Sequence, residues 1–300
     1  MPVLSFDRMP PVGGAWLRVL RPRPGLRPGA TVPRIEARVG AHHADPAWVQ
    51  AWRQVTGEGE GGTLAVAAPQ ALALPLHMKV LTAPGFPLPL LGAVHVRQQI
   101  DVVRPLRLDE TAAVGCWVEG AREARRGVEI DLHTTWTVGE ETVWHGVTTF
   151  LSRGRGAKRG GGPAAEVRTA AAPRDPDVPA APDVSETWSL PGDLGRRFAK
   201  VAGDRNPIHM YAWTARLFGF RQPIIHGMWT LARCLVALEG RVPSHGIRVA
   251  CSFRRPLPLP GIAALAAWRA GDVERFVVRD GAGRNALVGS VAPIPPGRSS

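Results

Sequence analysis

Cysteine is scarce in this chain: Cys116, Cys234 and Cys251 are the only three, far apart and in no CxxC pair. That excludes a disulfide framework and a thiolate zinc cage, and leaves the three as core thiols. Long apolar runs are lacking as well. The least polar stretch, 80–96, is broken by Pro84, Pro87 and Pro89 and bounded by Lys79 and Arg97, so no spanning helix and no membrane partner are expected. The N-terminal segment has Asp7 and prolines where a secretory signal needs a continuous apolar core, and a cytoplasmic protein is expected. Acidic residues number 25 against 37 Lys and Arg, a formal net charge of +12. The basic residues are scattered and nearly all arginine, in a background rich in Ala, Gly and Pro that is typical of a GC-rich genome. Without zinc-finger spacing, an RNA-binding signature or a basic run interleaved with aromatics, nucleic acid is not expected as a partner.

What is present is ample material for a core, 45% of residues being hydrophobic. Residues 153–183 contain almost no large apolar side chain and are expected to be a flexible linker. They separate two halves, 1–152 and 184–300. The first half closes on three segments rich in Val, Thr, Trp and Ile, at 111–119, 128–138 and 142–152, with Gly-containing turns between them, which predicts an antiparallel meander. The second half closes on a comparable series at 247–253, 262–270, 273–279 and 286–292. In both halves a strand runs into Arg-Pro-Leu, at Arg104–Leu106 and Arg255–Leu257, which favours an internal duplication. Helices are predicted just ahead of the strands. Asn206 as N-cap, Pro207 at the first helical position and Gly219 as a stop predict one from Pro207 to Phe218. Met228, Leu231, Ala232, Leu235 and Leu238 predict a second, from Gly227 toward Gly240, around which the sheet wraps.

The chemistry concentrates in the same stretch. Asp204 precedes the short helix and His209 lies in its first turn, so a carboxylate and an imidazole can face one small volume with a water between them. A helix N-terminus favours negative over positive charge, which suits a carboxylate with a neutral imidazole and therefore general base catalysis. The alternative is that Asp204 caps the turn and His209 is a satisfied polar residue. Gly227 opens the central helix, where its N–H has no partner within the helix and can receive an oxyanion; the alternative is that it serves close packing of helix on sheet. His226 beside it is expected to be a structural hydrogen-bonder.

The segment 201–232, with Gly-Asp-x-Asn-Pro-Ile-His, then Ala-x-x-x-Gly-Phe, then Pro-Ile-x-His-Gly-Met, resembles the hydratase signature of the MaoC-like family, which includes R-specific enoyl-CoA hydratases and 3-hydroxyacyl-thioester dehydratases. The resemblance implies an α+β hot-dog fold, an antiparallel sheet wrapped around a long helix, and the whole chain resembles the double hot-dog members in which two such units replace a homodimer. It implies reversible hydration of a trans-2-enoyl thioester to the (3R)-3-hydroxyacyl thioester, in fatty-acid metabolism. Asp204 and His209 match the catalytic pair, Gly227 the amide that binds the thioester oxygen, and Asn206 a residue that shapes the loop. In hydration one of the pair takes a proton from water as oxygen attacks C3 and the other supplies the proton to C2; Asp204 as the base and His209 as the acid is the expected assignment, and the reverse division stays open. Many members carry an acidic residue two positions after the histidine; Tyr211 stands there instead, which puts the subfamily and substrate in doubt more than the reaction, and Tyr211 is read as a packing residue or a rim contact.

The first half has no Asp-x-Asn-Pro-x-His, so one active site per chain is expected, with His77 and His95 structural. Its helix contains Pro75 and is cut short by Pro84 and Gly85, which would leave room for a long or bulky acyl tail. No metal, nucleotide or redox cofactor is implied. The expected partner is an acyl-CoA or acyl-carrier-protein thioester, whose anionic carrier suits the positive charge. A chain holding two units can act as a monomer or form a homodimer. A hot-dog thioesterase and a non-catalytic scaffold subunit are the competing functions.

Overall fold

The computed structural model describes residues 3–294 except 20, 28, 91, 125–126 and 153–175, so most of the expected linker lies outside the described residues. The first half runs β1 (Leu4–Phe6), α1 (Gly13–Val19), β2 (Ile35–His42), α2 (Pro46–Thr56), α3 (Ala68–Leu72), α4 (Leu74–Leu81), β3 (Val94–Val102), β4 (Ala112–Ala124), β5 (Gly127–Val138) and β6 (Glu141–Ser152). The second runs β7 (Val184–Leu190), α5 (Leu194–Ala202), a 3-10 turn (Pro207–His209), α6 (Ala212–Leu217), α7 (Gly227–Ala237), β8 (Ile247–Phe253), β9 (Gly261–Ala270), β10 (Val273–Asp280) and β11 (Asn285–Pro293). No helix among the described residues is long and apolar enough to cross a membrane.

Among the described residues the eleven strands form one sheet in the order β1-β2-β4-β5-β6-β3-β8-β11-β10-β9-β7. Without β1 the order is palindromic: each half supplies five strands in the same internal sequence, and the halves meet where β3 pairs antiparallel with β8, from Arg97↔Ser252 to Val102↔Ile247. These are the two strands that lead into the repeated Arg-Pro-Leu. The register at the seam is pinned by Arg248, whose guanidinium donates to both carboxylate oxygens of Asp101 at 2.6 and 2.7 Å.

Alternation decides which face each strand buries. In β4, Ala112, Val114, Cys116 and Val118 point inward, and α4 packs against this strand and β2. The second half buries Leu231, Cys234 and Leu238 of its central helix region in the same way. All three cysteines are buried and free, as the sequence suggested. The halves are also fastened through their helices. Trp48 Nε1 in α2 donates to Val201 O at 2.9 Å, Trp229 Nε1 in α7 to Val55 O at 2.8 Å, and Arg233 to Thr56 O at 2.9 Å.

Two helices differ from expectation. In the first half the helical stretch is divided, and Pro75 sits in the opening turn of α4, where a missing N–H breaks no helical bond. The single helix expected over 207–218 is interrupted at Met210 and Tyr211. Tyr211 is extended, and the Thr214 hydroxyl accepts from Tyr211 N at 3.2 Å and approaches Pro207 O at 2.7 Å, so a side chain does what a continuous helix would do with its backbone.

Candidate active site

The residues between α5 and α7 fold back on themselves through local side-chain bonds. Asp204 Oδ1 accepts from Asn206 N at 3.1 Å, and Asn206 Oδ1 accepts from Ile208 N at 3.4 Å as the cap of the 3-10 turn. These two turns carry His209 back toward Asp204. Gly195 in α5 lets the helix lie directly on the His209 carbonyl, for a Cβ there would collide with that oxygen. The chain then returns through Ile224, whose carbonyl accepts from His209 Nδ1 at 2.7 Å.

The result is a compact trio. One ligating atom from each of Asp204, His209 and His226 lies within 4.8 Å of the others. The imidazoles of His209 and His226 stack with centroids 3.6 Å apart, and His226 Nε2 donates to the Asp204 backbone carbonyl at 2.9 Å. Both rings are buried, whereas the Asp204 side chain keeps 35% of its exposure and so opens the group to the pocket. Burial pushes the His209 pKa below its ordinary value, partly opposed by Asp204, and pushes that of His226 down to about 3, helped by repulsion from His209. Both rings are therefore neutral near pH 7. Among the described residues, these three are the group whose ligand atoms come close enough together to hold a metal ion.

The proton on His209 can be placed. A carbonyl can only accept, so Nδ1 carries the hydrogen, and in the neutral ring Nε2 has a lone pair and no proton. At rest the Nε2 lone pair of His209 is therefore free of a proton.

The site lies in a pocket built by both halves. The second half lines it with Asp204, Asn206, His209, Gly227 and Phe253, and the first half with Gln70, Leu74, His77, His95 and Phe150. Gly227 begins α7 on the pocket wall, and a Cβ on it would stand 2.7 Å from the Phe253 ring, so helix and sheet pack closely at this position. Burial pushes the pKa of His77 down to about 3 and that of His95 to about 4, the nearby Asp204 carboxylate partly opposing the fall at His95. His77 Nε2 bonds Thr134 Oγ1 at 2.8 Å, His95 Nε2 donates to Arg97 O at 2.9 Å, and the His95 ring packs 4.6 Å from that of Phe253. Their place on the pocket wall is not visible in sequence spacing. His226 makes a hydrogen bond to the Asp204 backbone carbonyl, as expected of a structural residue, while its stacking on His209 was not visible in sequence spacing.

Two five-stranded units sharing one sheet, with a single carboxylate–imidazole group at their junction, define a double hot-dog protein. The chain belongs to the MaoC-like dehydratase family: residues 178–289 match the MaoC-like domain, and 35% of 246 aligned residues are identical to 3-hydroxyacyl-thioester dehydratase X of Mycobacterium tuberculosis, over 81% of this chain and 82% of that one. The crystal structure of HtdX from the same organism superposes with a TM-score of 0.72 at 32% identity, covering 86% of this chain and 100% of that one. A MaoC-like dehydratase from Phytophthora capsici shares the fold at 15% identity, with a TM-score of 0.69 over 90% of this chain and 97% of its own.

Proposed function

We propose that the protein is a hydro-lyase that interconverts trans-2-enoyl and (3R)-3-hydroxyacyl thioesters in fatty-acid metabolism, in the cytoplasm, as a monomer or homodimer. The observation that carries this reading is the buried, neutral His209 within reach of the Asp204 carboxylate in a pocket open to substrate. Residues 184–300 form the catalytic unit, residues 1–152 the unit that completes the pocket, and 153–183 the connection. In hydration His209 Nε2 takes a proton from water as the water oxygen bonds to C3. The π electrons of the C2–C3 bond move onto the thioester oxygen, which the Gly227 N–H receives. Asp204 holds the water and stabilises the imidazolium, and the proton then passes from His209 to C2 as the enolate collapses, restoring the neutral ring. Asn206 keeps the turn in shape. Dehydration is the same path reversed.

The wall from Gln70 to His77 follows α3 and α4, and α4 spans eight residues where α7 spans eleven, which supports an acyl tail lodged against the first half. Absorbance at the conjugated enoyl-thioester band, with crotonyl-CoA and a longer trans-2-enoyl-CoA, tests the reaction. Wild type is expected to bleach the band with the thioester intact, and Asp204→Asn and His209→Ala to lose about a hundredfold or more in kcat. Release of free thiol would assign a thioesterase instead.

A further inference from the structure

The rim of the pocket carries a second feature that the hydration chemistry does not use. Ile208, Phe220 and Ile224 line the pocket, and between Ile208 and Phe220 the chain makes α6, which packs on the 3-10 turn that carries His209 and so lies beside the pocket. This helix buries little of what it carries: Tyr211, Trp213 and Leu217 are 46%, 67% and 75% exposed. Seven large hydrophobic side chains are exposed among the described residues, and three of them fall in this one stretch, so they form a patch rather than a scatter. Trp213 and Leu217 are one turn apart on the same side of α6, and the Tyr211 ring lies nearly parallel to that of Trp213, under the Arg196 guanidinium.

Positive charge surrounds the patch. Lys200, Arg205, Arg216 and Arg221 are exposed, and Asp204, inside the site, is the only acid from Lys200 to Gln222. Among the described residues Arg205, Arg216 and Arg221 enter no ion pair. Exposed aromatics with arginine are the composition of a protein-binding surface, and unpaired cations select an acidic partner. The phosphates of a nucleotide call for cations that converge on one point. Here they are distributed from α5 to the loop after α6, with Leu217 exposed among them, a pattern that an amphipathic acidic helix matches with its apolar stripe and flanking carboxylates.

Resting on the acyl-thioester reading above, we propose that the α6 rim docks an acidic carrier protein, which delivers the acyl group to Asp204 and His209 on its prosthetic arm. The test uses the full chain and one but-2-enoyl group presented on a holo acyl carrier protein and on coenzyme A. Charge reversal at Arg216→Glu with Arg221→Glu, and separately Trp213→Ala with Leu217→Ser, are expected to raise KM for the carrier-borne substrate about tenfold with kcat little changed, and to leave the coenzyme A substrate within about twofold. Added salt at about 0.3 M is expected to impose a similar loss on wild type with the carrier substrate alone. Equal losses on both substrates, or none on either, would overturn the proposal. So would an apolar variant that turns a dimer into a monomer with unchanged kinetics, which would assign the patch to a second copy of the chain. Calorimetric binding of the holo carrier protein separates the two readings: binding without turnover of either substrate removes the hydratase reading and keeps the dock, and turnover of the coenzyme A substrate without carrier binding does the reverse.

Discussion

His226 shows how much one side chain can govern in a site of this size. It holds the Asp204 backbone through Nε2, stacks on His209, and touches the Phe198 ring at 5.0 Å, while its Nδ1 is buried without a hydrogen-bond partner. A proton on Nδ1 would place a buried charge with no acceptor, which agrees with a pKa near 3 and makes His226 a positioning residue that stays neutral. Removing an oriented buried hydrogen bond costs about 1–3 kcal/mol, which here falls on the placement of Asp204 and His209 rather than on substrate affinity. His226→Ala is expected to lower kcat about tenfold to a hundredfold with KM within about threefold, and His226→Gln, which can still donate to Asp204 O, to recover part of it. Unchanged kcat in the alanine variant, with only a lower melting temperature, would reduce His226 to core packing.

At the level of elements, the site depends on a close approach between α5 and the 3-10 turn. An exposed helical glycine gains about 0.5–1 kcal/mol on replacement by alanine. Gly195 is fully enclosed, and the Cβ of Gly195→Ala would meet the carbonyl oxygen of His209, with Leu259 Cδ1 3.2 Å away. The backbone at His209 must move, so the sign reverses: a loss of about 1–3 kcal/mol and a drop in kcat, readable by thermal melting and steady-state kinetics. A melting temperature at or above that of wild type would contradict the contact. The strands were far more legible than this. Alternating Val, Thr and Trp segments fell within a few residues of β4, β5 and β6, because a half-buried strand writes its period into the sequence. The break at Tyr211 did not show, because it depends on where the Thr214 hydroxyl goes.

For the molecule as a whole, burial of histidine sets the response to acid. His77, His95 and His226 have pKa values pushed down by burial to about 3, about 4 and about 3, against an ordinary value of 6.5. Their unfolded forms bind protons below pH 6.5 and their folded forms do not, so stability rises with pH between the two values and falls on acidification from 6.5 toward 4. Each contributes a loss of order 1 kcal/mol per pH unit in that window. The midpoint of urea unfolding is expected to be flat from pH 8 to 7 and to fall steeply below about 6.5, and His77→Gln to flatten the acid limb if it folds. A midpoint independent of pH down to 5 would mean that these rings reach solvent. All three line the same pocket, so acid should also destabilise the union of the halves across β3 and β8.

The sequence by itself determined the strand series in each half, the duplicated Arg-Pro-Leu, and the membership of Asp204, Asn206, His209 and Gly227 in one short motif, because those features are local and are read from spacing along the chain. Tertiary structure alone decided that His226 joins the pair, that His77 and His95 form the pocket wall, and that His209 carries its proton on Nδ1. Each of these is settled by a partner distant in sequence: Asp204 for His226, the second half for His77 and His95, Ile224 for His209. A hydrogen bond across such a gap leaves no periodic trace in the chain, and only the folding of the chain back on itself brings donor and acceptor together.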